Sequence, residues 1–167
     1  MQNPPLIYGI LLKRYKRFLA DIQLDFGEVI VAHCPNSGSM MSCSEPGSPV
    51  LVSRSDNAKR KHAYTWELVF TNNTWVGINT HVPNKLVCEA IRNREIPELA
   101  GYTALKREVA YGQKSRIDIL LQTTAERCYV EIKNVTLVRD HIAFFPDAVT
   151  TRGRKHLDEL VEMVKQG

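Results

Sequence analysis

The sequence predicts an α+β protein, an all-β first half followed by a half that mixes helices with strands. Three observations carry this. Residues 6 to about 80 hold short β-branched and aromatic runs separated by Gly, Pro and Asn. Two later stretches, starting near Asn84 and near Thr150, space their apolar residues at helical intervals. Between these stretches lie three strand-like runs. The chain has 167 residues, enough for one ordinary domain or two small ones. Two domains are expected here, 1–80 and 81–167.

The first strand expected is a long one, Ile10 to Asp25, with Tyr15, Arg17 and Leu19 on one face and Arg14, Lys16 and Phe18 on the other. After the turn Asp25-Phe26-Gly27 comes Glu28 to His33, EVIVAH. The segment Pro35 to Met40, PNSGSM, is rich in breakers and reads as a loop. Pro49 to Ser53 is the next strand, followed by a polar, basic loop from Ser55 to His62. Thr65 to Thr71 and Thr74 to Thr80 complete the set, joined through Asn72-Asn73. Five such strands suit a small barrel of the OB type, which binds nucleic-acid strands with basic grooves and aromatic platforms. Lys13, Arg14, Lys16 and Arg17 form one basic run, and Lys59, Arg60 and Lys61 with His62 form another. Tyr15, Phe18, Tyr64 and Trp66 lie beside these runs. Tyr15, Tyr64 and Trp66 are candidates for stacking bases, although Trp66 and Phe18 suit the barrel core better.

In the second half, Asn84 is a candidate N-cap for a helix whose apolar face is Leu86, Val87, Ala90 and Ile91. Glu89 projects from it. Leu105 to Tyr111 reads as a strand closed by Gly112. Ser115 to Lys133 reads as two strands with a polar turn. Asp140 to Val149 reads as a loop with two exposed phenylalanines. Thr150 or Thr151 then caps a last helix with the stripe Leu157, Leu160, Val161 and Val164. Asp158, Glu159 and Glu162 take its outer face. Arg152, Arg154, Lys155 and His156 crowd its first turns, where cations oppose the macrodipole and an anionic partner would relieve them.

The Ser115 to Lys133 stretch carries the candidate chemistry. Glu131 and Lys133 share one face of a strand, roughly 7 Å apart. Pairing of the two strands as a hairpin would bring Asp118 to the same side. Charges on a sheet otherwise made of Ile, Leu, Val and Tyr are costly unless paired or given a role. Two carboxylates suit a hard cation such as Mg²⁺, with Mn²⁺ as a substitute, and a lysine stabilises charge developing on a phosphate. A cross-strand salt bridge from Lys133 to Asp118 or Glu131 would account for the same residues. The order carboxylate, then carboxylate-x-lysine, resembles the metal site of the PD-(D/E)xK nuclease superfamily. Ile117 stands where that pattern has its proline, a position with no chemical role.

Composition narrows the classes further. Hydrophobic residues make up 44% and charged residues 24%, the balance of a globular protein. No apolar run approaches the length that crosses a bilayer, and the N-terminus lacks the pattern of a signal peptide. Cys34, Cys43, Cys88 and Cys128 show no redox or zinc-knuckle spacing, so reduced thiols in a cytoplasmic protein are expected. His33 with Cys34 and Cys43 is a weak zinc pattern. The net charge of +4 divides evenly, eight basic against six acidic residues before residue 80 and fourteen against twelve after it. Bulk charge therefore says little of a polyanion partner.

Several blocks together resemble the sugar fermentation stimulation (SfsA) family. These are RYKRFLADI from Arg14, HCPNSGSM from His33, SDNAKRK from Ser55 and TWELV from Thr65. YGQKSRIDILL from Tyr111, YVEIKNVTL from Tyr129 and FPDAVTTRGRKHLDEL from Phe145 complete them. The resemblance implies an OB-like barrel followed by a PD-(D/E)xK nuclease-like domain of helix, three strands and helix, its last strand absent here. It further implies a DNA-binding protein, on single or double strands, that regulates sugar, notably maltose, utilisation; a Mg-dependent nuclease is the alternative. Asp118, Glu131 and Lys133 would be its catalytic site and Glu89, Asp118 and Glu131 its metal ligands, with the Ile132 carbonyl as a further one. The chain stops at Gly167, where family members continue into another strand and helix, so either a fragment or an unfinished sheet with an open edge is expected. A nuclease fold kept only as an interaction domain, and acid/base work on a glycoside, are weaker readings.

Overall fold

The computed structural model describes residues 5–112, 115–139, 142–145 and 151–166. The chain forms two compact units, Met1–His81 with Asn134–Ala148, and Val82–Lys133 with Val149–Gly167. It therefore crosses between units three times, where the sequence alone suggested one crossing near residue 80. No helix among the described residues is long and apolar enough to cross a membrane.

The first unit holds β1 (Leu6–Tyr15), β2 (Leu19–Leu24), β3 (Val29–His33), β4 (Pro49–Arg54), β5 (Tyr64–Thr71) and β6 (Thr74–Gly77). The strand order is β3-β2-β1-β4-β5-β6, and a parallel pairing of β3 with β5 closes the first five into a barrel. Five strands were expected, but they are not the same five. The long Ile10 to Asp25 strand is broken into β1 and β2 by Lys16 and Arg17, both left-handed with φ of 51° and 65°. Thr74 to Thr80 supplies β6, which pairs only with β5 outside the closed ring. The Asn72-Asn73 turn between them has φ of 49° and 59°, the hairpin geometry that asparagine tolerates.

Alternation along the strands builds the barrel core from Leu11, Ile22, Leu24, Val50, Val52, Trp66 and Val69. Trp66 is fully buried and its indole N–H donates to the Leu68 carbonyl, so no ring face is open to a base. The stacking role is thereby excluded for Trp66. Phe18, expected inside, is 51% exposed because the β1–β2 turn carries it outward. Cys34 and Cys43 are core residues, Cys34 lying beside the Met40 sulfur, and no group of three or more metal-ligating side chains forms among the described residues. A hairpin of β10 (Leu137–Arg139) and β11 (Ile142–Phe144) belongs to this unit, pinned by Asn134 to the Gly77 carbonyl and by the Cys43 thiol to the Thr136 carbonyl. Part of the expected 140–149 loop is thus a strand, Phe144 and Phe145 are exposed as expected, and residues 140–141 and 146–149 lie outside the described residues.

The second unit is a three-layer arrangement. Its sheet is the antiparallel meander β7 (Ala104–Tyr111), β8 (Ser115–Gln122) and β9 (Arg127–Val130). Helix α1 (Val82–Arg92) packs Val87, Cys88 and Ile91 on Ile119 and Leu121. Helix α2 (Thr151–Gln166) packs Leu160 and Met163 on Ile117 and Leu120. Both apolar faces are rotated from those expected. On α1 the buried residue is Cys88, a small hydrophobe in effect, and Leu86 is exposed. On α2, Leu157, Val161 and Val164 are exposed and Glu159 is buried.

One backbone approach is close enough to predict from. Gly9 on β1 sits opposite Leu24, and a Cβ there would lie 2.7 Å from Ile22 Cγ2 and 2.8 Å from the Gln23 carbonyl oxygen. Backbone cannot yield as a flexible side chain would. Gly9→Ala should lower stability by about 1–3 kcal/mol, read as a reduced urea midpoint. An unchanged midpoint would mean that β1 and β2 part more easily than this packing implies.

Candidate functional site

The site is built on the open end of the β8–β9 pair. Ile119 pairs with Val130 and Leu120 with Tyr129, so one step further Asp118 and Glu131 come opposite each other. Strand β9 ends at Val130, and Glu131 to Lys133 continue beyond it without ladder pairing. Asp118 takes up the backbone instead. Its Oδ2 accepts the Ile132 N–H at 2.7 Å, and its Oδ1 accepts the Asn84 amide at 2.8 Å. Asn84 is therefore not the N-cap expected of it. It stands inside α1, three, four and seven residues before Val87, Cys88 and Ile91, and so lies on the same inner face.

Glu131 has a side chain only 8% exposed. Its Oε1 is bonded both to the Lys133 ammonium and to His156 Nδ1, and Lys133 Nζ lies 3.5 Å from that imidazole nitrogen. Its Oε2 is buried with no hydrogen-bond partner among the described residues. The expected Lys133–Glu131 ion pair is present.

Helix α2 delivers two residues that the sequence reading did not place here. His156, Glu159, Leu160 and Met163 follow the i, i+3, i+4, i+7 rule, so a face anchored by Leu160 and Met163 carries His156 and Glu159 inward too. Gly112, with φ of 53°, makes room, since a Cβ there would stand 3.2 Å from Glu159 Cδ. The Ser115 hydroxyl holds the Glu159 carboxyl below its ordinary range against the opposing effect of burial, aided by Lys155 and His156. Lys155 lies 3.5 Å from it. Tyr111 completes the group. Burial first, then the charges of Glu131, Glu159 and Asp118, push its hydroxyl up to about 12. A polar residue at the head of an apolar helical face is the signal that would have found Asn84 and His156.

Glu89 does not join this group. It is exposed on α1 and lies about 140° around the helix from Asn84.

On the barrel the basic residues divide. Arg14 is a structural clamp: its guanidinium donates to the carbonyls of Arg17, Asn36 and Gly38 at 2.7, 2.9 and 2.9 Å, tying the β1–β2 turn to the Pro35 loop. Lys13 pairs with Asp21 at 3.2 Å and lies over the Tyr15 ring, whose hydroxyl also donates to Asp21. Lys16 and Arg17 are exposed at the turn, as are Lys59 and Lys61 in the loop before β5. Arg60 is exposed too, but its guanidinium donates to Thr65 Oγ1 at 2.9 Å.

Known proteins resemble this chain in sequence and fold. Residues 12–78 match the family model of the SfsA N-terminal OB domain, and residues 81–167 match that of the sugar fermentation stimulation protein RE domain. A sugar fermentation stimulation protein homolog of Pelobacter propionicus is 59% identical over 167 residues, spanning all of this chain and 73% of that protein. A homolog from Geobacter sulfurreducens is 58% identical over 163 residues, 98% of this chain and 70% of its own. The solved structure of Pyrococcus furiosus SfsA in complex with Ca²⁺ superposes with a TM-score of 0.88 at 27% identity, covering all of this chain and 71% of that one.

The Tyr111 hydroxyl is itself buried without a partner among the described residues. Its raised pKa favours the neutral form in the fold, so the contribution to stability is whole below about pH 10 and is lost as pH rises through about 12. Tyr111→Phe should therefore cost little at pH 7 and should flatten the loss of stability above pH 10, as followed by urea unfolding at each pH. A parallel alkaline loss in both proteins would remove Tyr111 from the carboxylate group.

Proposed function

Because this chain belongs to the sugar fermentation stimulation protein family, we propose that it binds nucleic acid through its barrel and hydrolyses phosphodiester bonds with a divalent cation held at Asp118 and Glu131. The observation that carries this reading is the buried, unpartnered Oε2 of Glu131. A carboxylate oxygen left so is costly unless a cation or donor meets it. The groups present fit a hard cation, because Asp118, Glu131 and the Ile132 carbonyl offer oxygen alone. Mg²⁺ is the expected ion, with Mn²⁺ able to replace it. The Pyrococcus relative is described in complex with Ca²⁺, another cation that takes oxygen ligands.

When bound, such an ion polarises a phosphate oxygen and acidifies a water molecule. The chain's own residues prepare the rest. Asn84 and the Ile132 N–H fix both oxygens of Asp118 and so set the direction of its remaining lone pairs. Lys133 is held against Glu131 beside His156 and presents positive charge where a phosphate would gain negative charge. Glu89 has no place in this scheme, being exposed and off the inner face of α1.

A second reading, binding without cleavage in a regulator of sugar (maltose) utilisation, draws on the exposed Lys16, Arg17, Lys59 and Lys61 of the barrel. One gel series separates the two. Labelled single- and double-stranded DNA is incubated with the protein in EDTA, Mg²⁺ or Mn²⁺. Cleavage should require the metal, vanish in Asp118→Asn and fall by about 10–100-fold in Asn84→Ala, while binding persists in both variants. Cleavage by Asp118→Asn at the parent rate would overturn the assignment, and binding without cleavage in any metal would leave the regulator.

The barrel contribution is tested by salt. About five phosphate contacts give a slope of log K against log salt near −3.5 on single strands and −4.5 on duplex. A slope near zero in a filter-binding titration would rule out binding led by phosphates.

A further inference from the structure

The barrel carries a cavity remote in character from the acidic site. It has a volume of about 560 Å³, within the range of small-ligand sites. Its wall brings together the end of β3, β4, the loop after β4, β5 and the segment after β6. His33, Arg60 and His81 line it with the hydroxyl residues Ser53, Ser55 and Thr65.

The polar groups here are arranged for an anion. Arg60 makes no ion pair among the described residues; its guanidinium donates to Thr65 Oγ1, which aims it without neutralising it. Glu67, which also lines the cavity, has both oxygens engaged, one by the Ser53 hydroxyl and one by the Asn79 amide, each at 2.6 Å. Asn79 in turn accepts the His81 N–H, which fixes the backbone there. Arg54, on the same wall, lies 6.0 Å from the Tyr64 ring centre and has no carboxylate partner among the described residues. Asp56 is the remaining carboxylate and is exposed. The cavity thus offers two guanidinium groups, two imidazoles and the hydroxyls of Ser55 and Thr65 against two carboxylates, Asp56 and a Glu67 whose oxygens are already hydrogen-bonded.

We propose that this cavity seats a phosphate monoester, with Arg60 as its principal charged donor and His33 and His81 flanking it. A monoester, with its second pKa near 6, titrates close to imidazole, so the two can share a proton; a diester has no such proton. His33 already reports the positive field. Its pKa is lowered by burial first and then by the charges of Arg60, His81 and His62. A bound dianion would reverse that lowering. The inference stands apart from the metal reading, since none of these residues belongs to the acidic site. It also gives Arg60 a role different from that of its exposed neighbours Lys59 and Lys61.

The test uses the Asp118→Asn protein in EDTA, so that neither metal nor its carboxylate site contributes. Inorganic phosphate, a deoxynucleoside 5′-monophosphate, and matched oligonucleotides with a 5′-phosphate or a 5′-hydroxyl are titrated by calorimetry and by the His33 imidazole NMR signal. Saturable binding of phosphate is expected, with an upward shift of the His33 pKa. Loss of one charge-assisted donor in Arg60→Gln should weaken it by about 10–100-fold. His81→Gln, which leaves the Thr65 bond intact, should weaken it as well and guards against misfolding of the first variant. Preference for the 5′-phosphorylated strand would identify a strand end as the source of the phosphate. Tight phosphate or nucleotide binding with no strand preference would identify a free small molecule, and both results support the pocket. No saturable phosphate binding, or binding by both variants as tight as the parent's, would overturn it, and neither result depends on nuclease activity.

Discussion

The cost of burying carboxylates is the constraint that organises the second unit. Glu131 and Glu159 are almost wholly covered, and Asp118 is half-buried against the same sheet. A buried charge without partners would drive the fold apart or lose its ionisation. Neighbouring elements therefore each bring a compensating group. Helix α1 brings Asn84, the chain after β9 brings the Ile132 N–H and Lys133, helix α2 brings His156 and Lys155, and β8 brings Ser115. The compensation is incomplete at Glu131 Oε2 and at both Glu159 oxygens, which have no hydrogen-bond partner among the described residues. Folding energy is conceded there, as it is where a site is kept open for a ligand.

The barrel meets the opposite problem, an excess of cations near backbone loops. It handles them individually. Arg14 spends its guanidinium on loop carbonyls and thereby joins two segments that are distant in sequence. Lys13 and Tyr15 converge on Asp21. The residues at the tips, Lys16, Arg17, Lys59 and Lys61, are exposed. A basic run of the kind KRYKR is thus two structural residues and two solvated ones, and counting charges along the chain does not distinguish them.

Much of the architecture was legible residue by residue. Alternation in EVIVAH and TWELVFT gave their strands to within a residue or two, because one buried face imposes a period of two. Asn72-Asn73 marked its hairpin through the tolerance of asparagine for left-handed backbone. The Lys16-Arg17 turn was not legible, since neither residue favours positive φ and the alternation runs through it undisturbed. Asp118, Glu131 and Lys133 were singled out by type and spacing. Their partners Asn84, Tyr111, His156 and Glu159 were not, because each is an ordinary polar residue until an element from elsewhere in the chain packs against it.

By itself, then, the sequence determined most of the strands, both helices and the carboxylate–lysine grouping at the end of the β8–β9 pair. All of these follow from periods and spacings within one element. Tertiary structure decided the phase. It rotated the inner faces of α1 and α2 from the expected ones, put Trp66 beyond reach of any base and sent Arg14 into the loop. It also left Arg60 facing a cavity without an acidic partner among the described residues. The physical reason is the same in each case. Periodicity fixes which residues of an element travel together, but only the partner surface, through buried area and the pairing of polar groups, selects the face that turns inward.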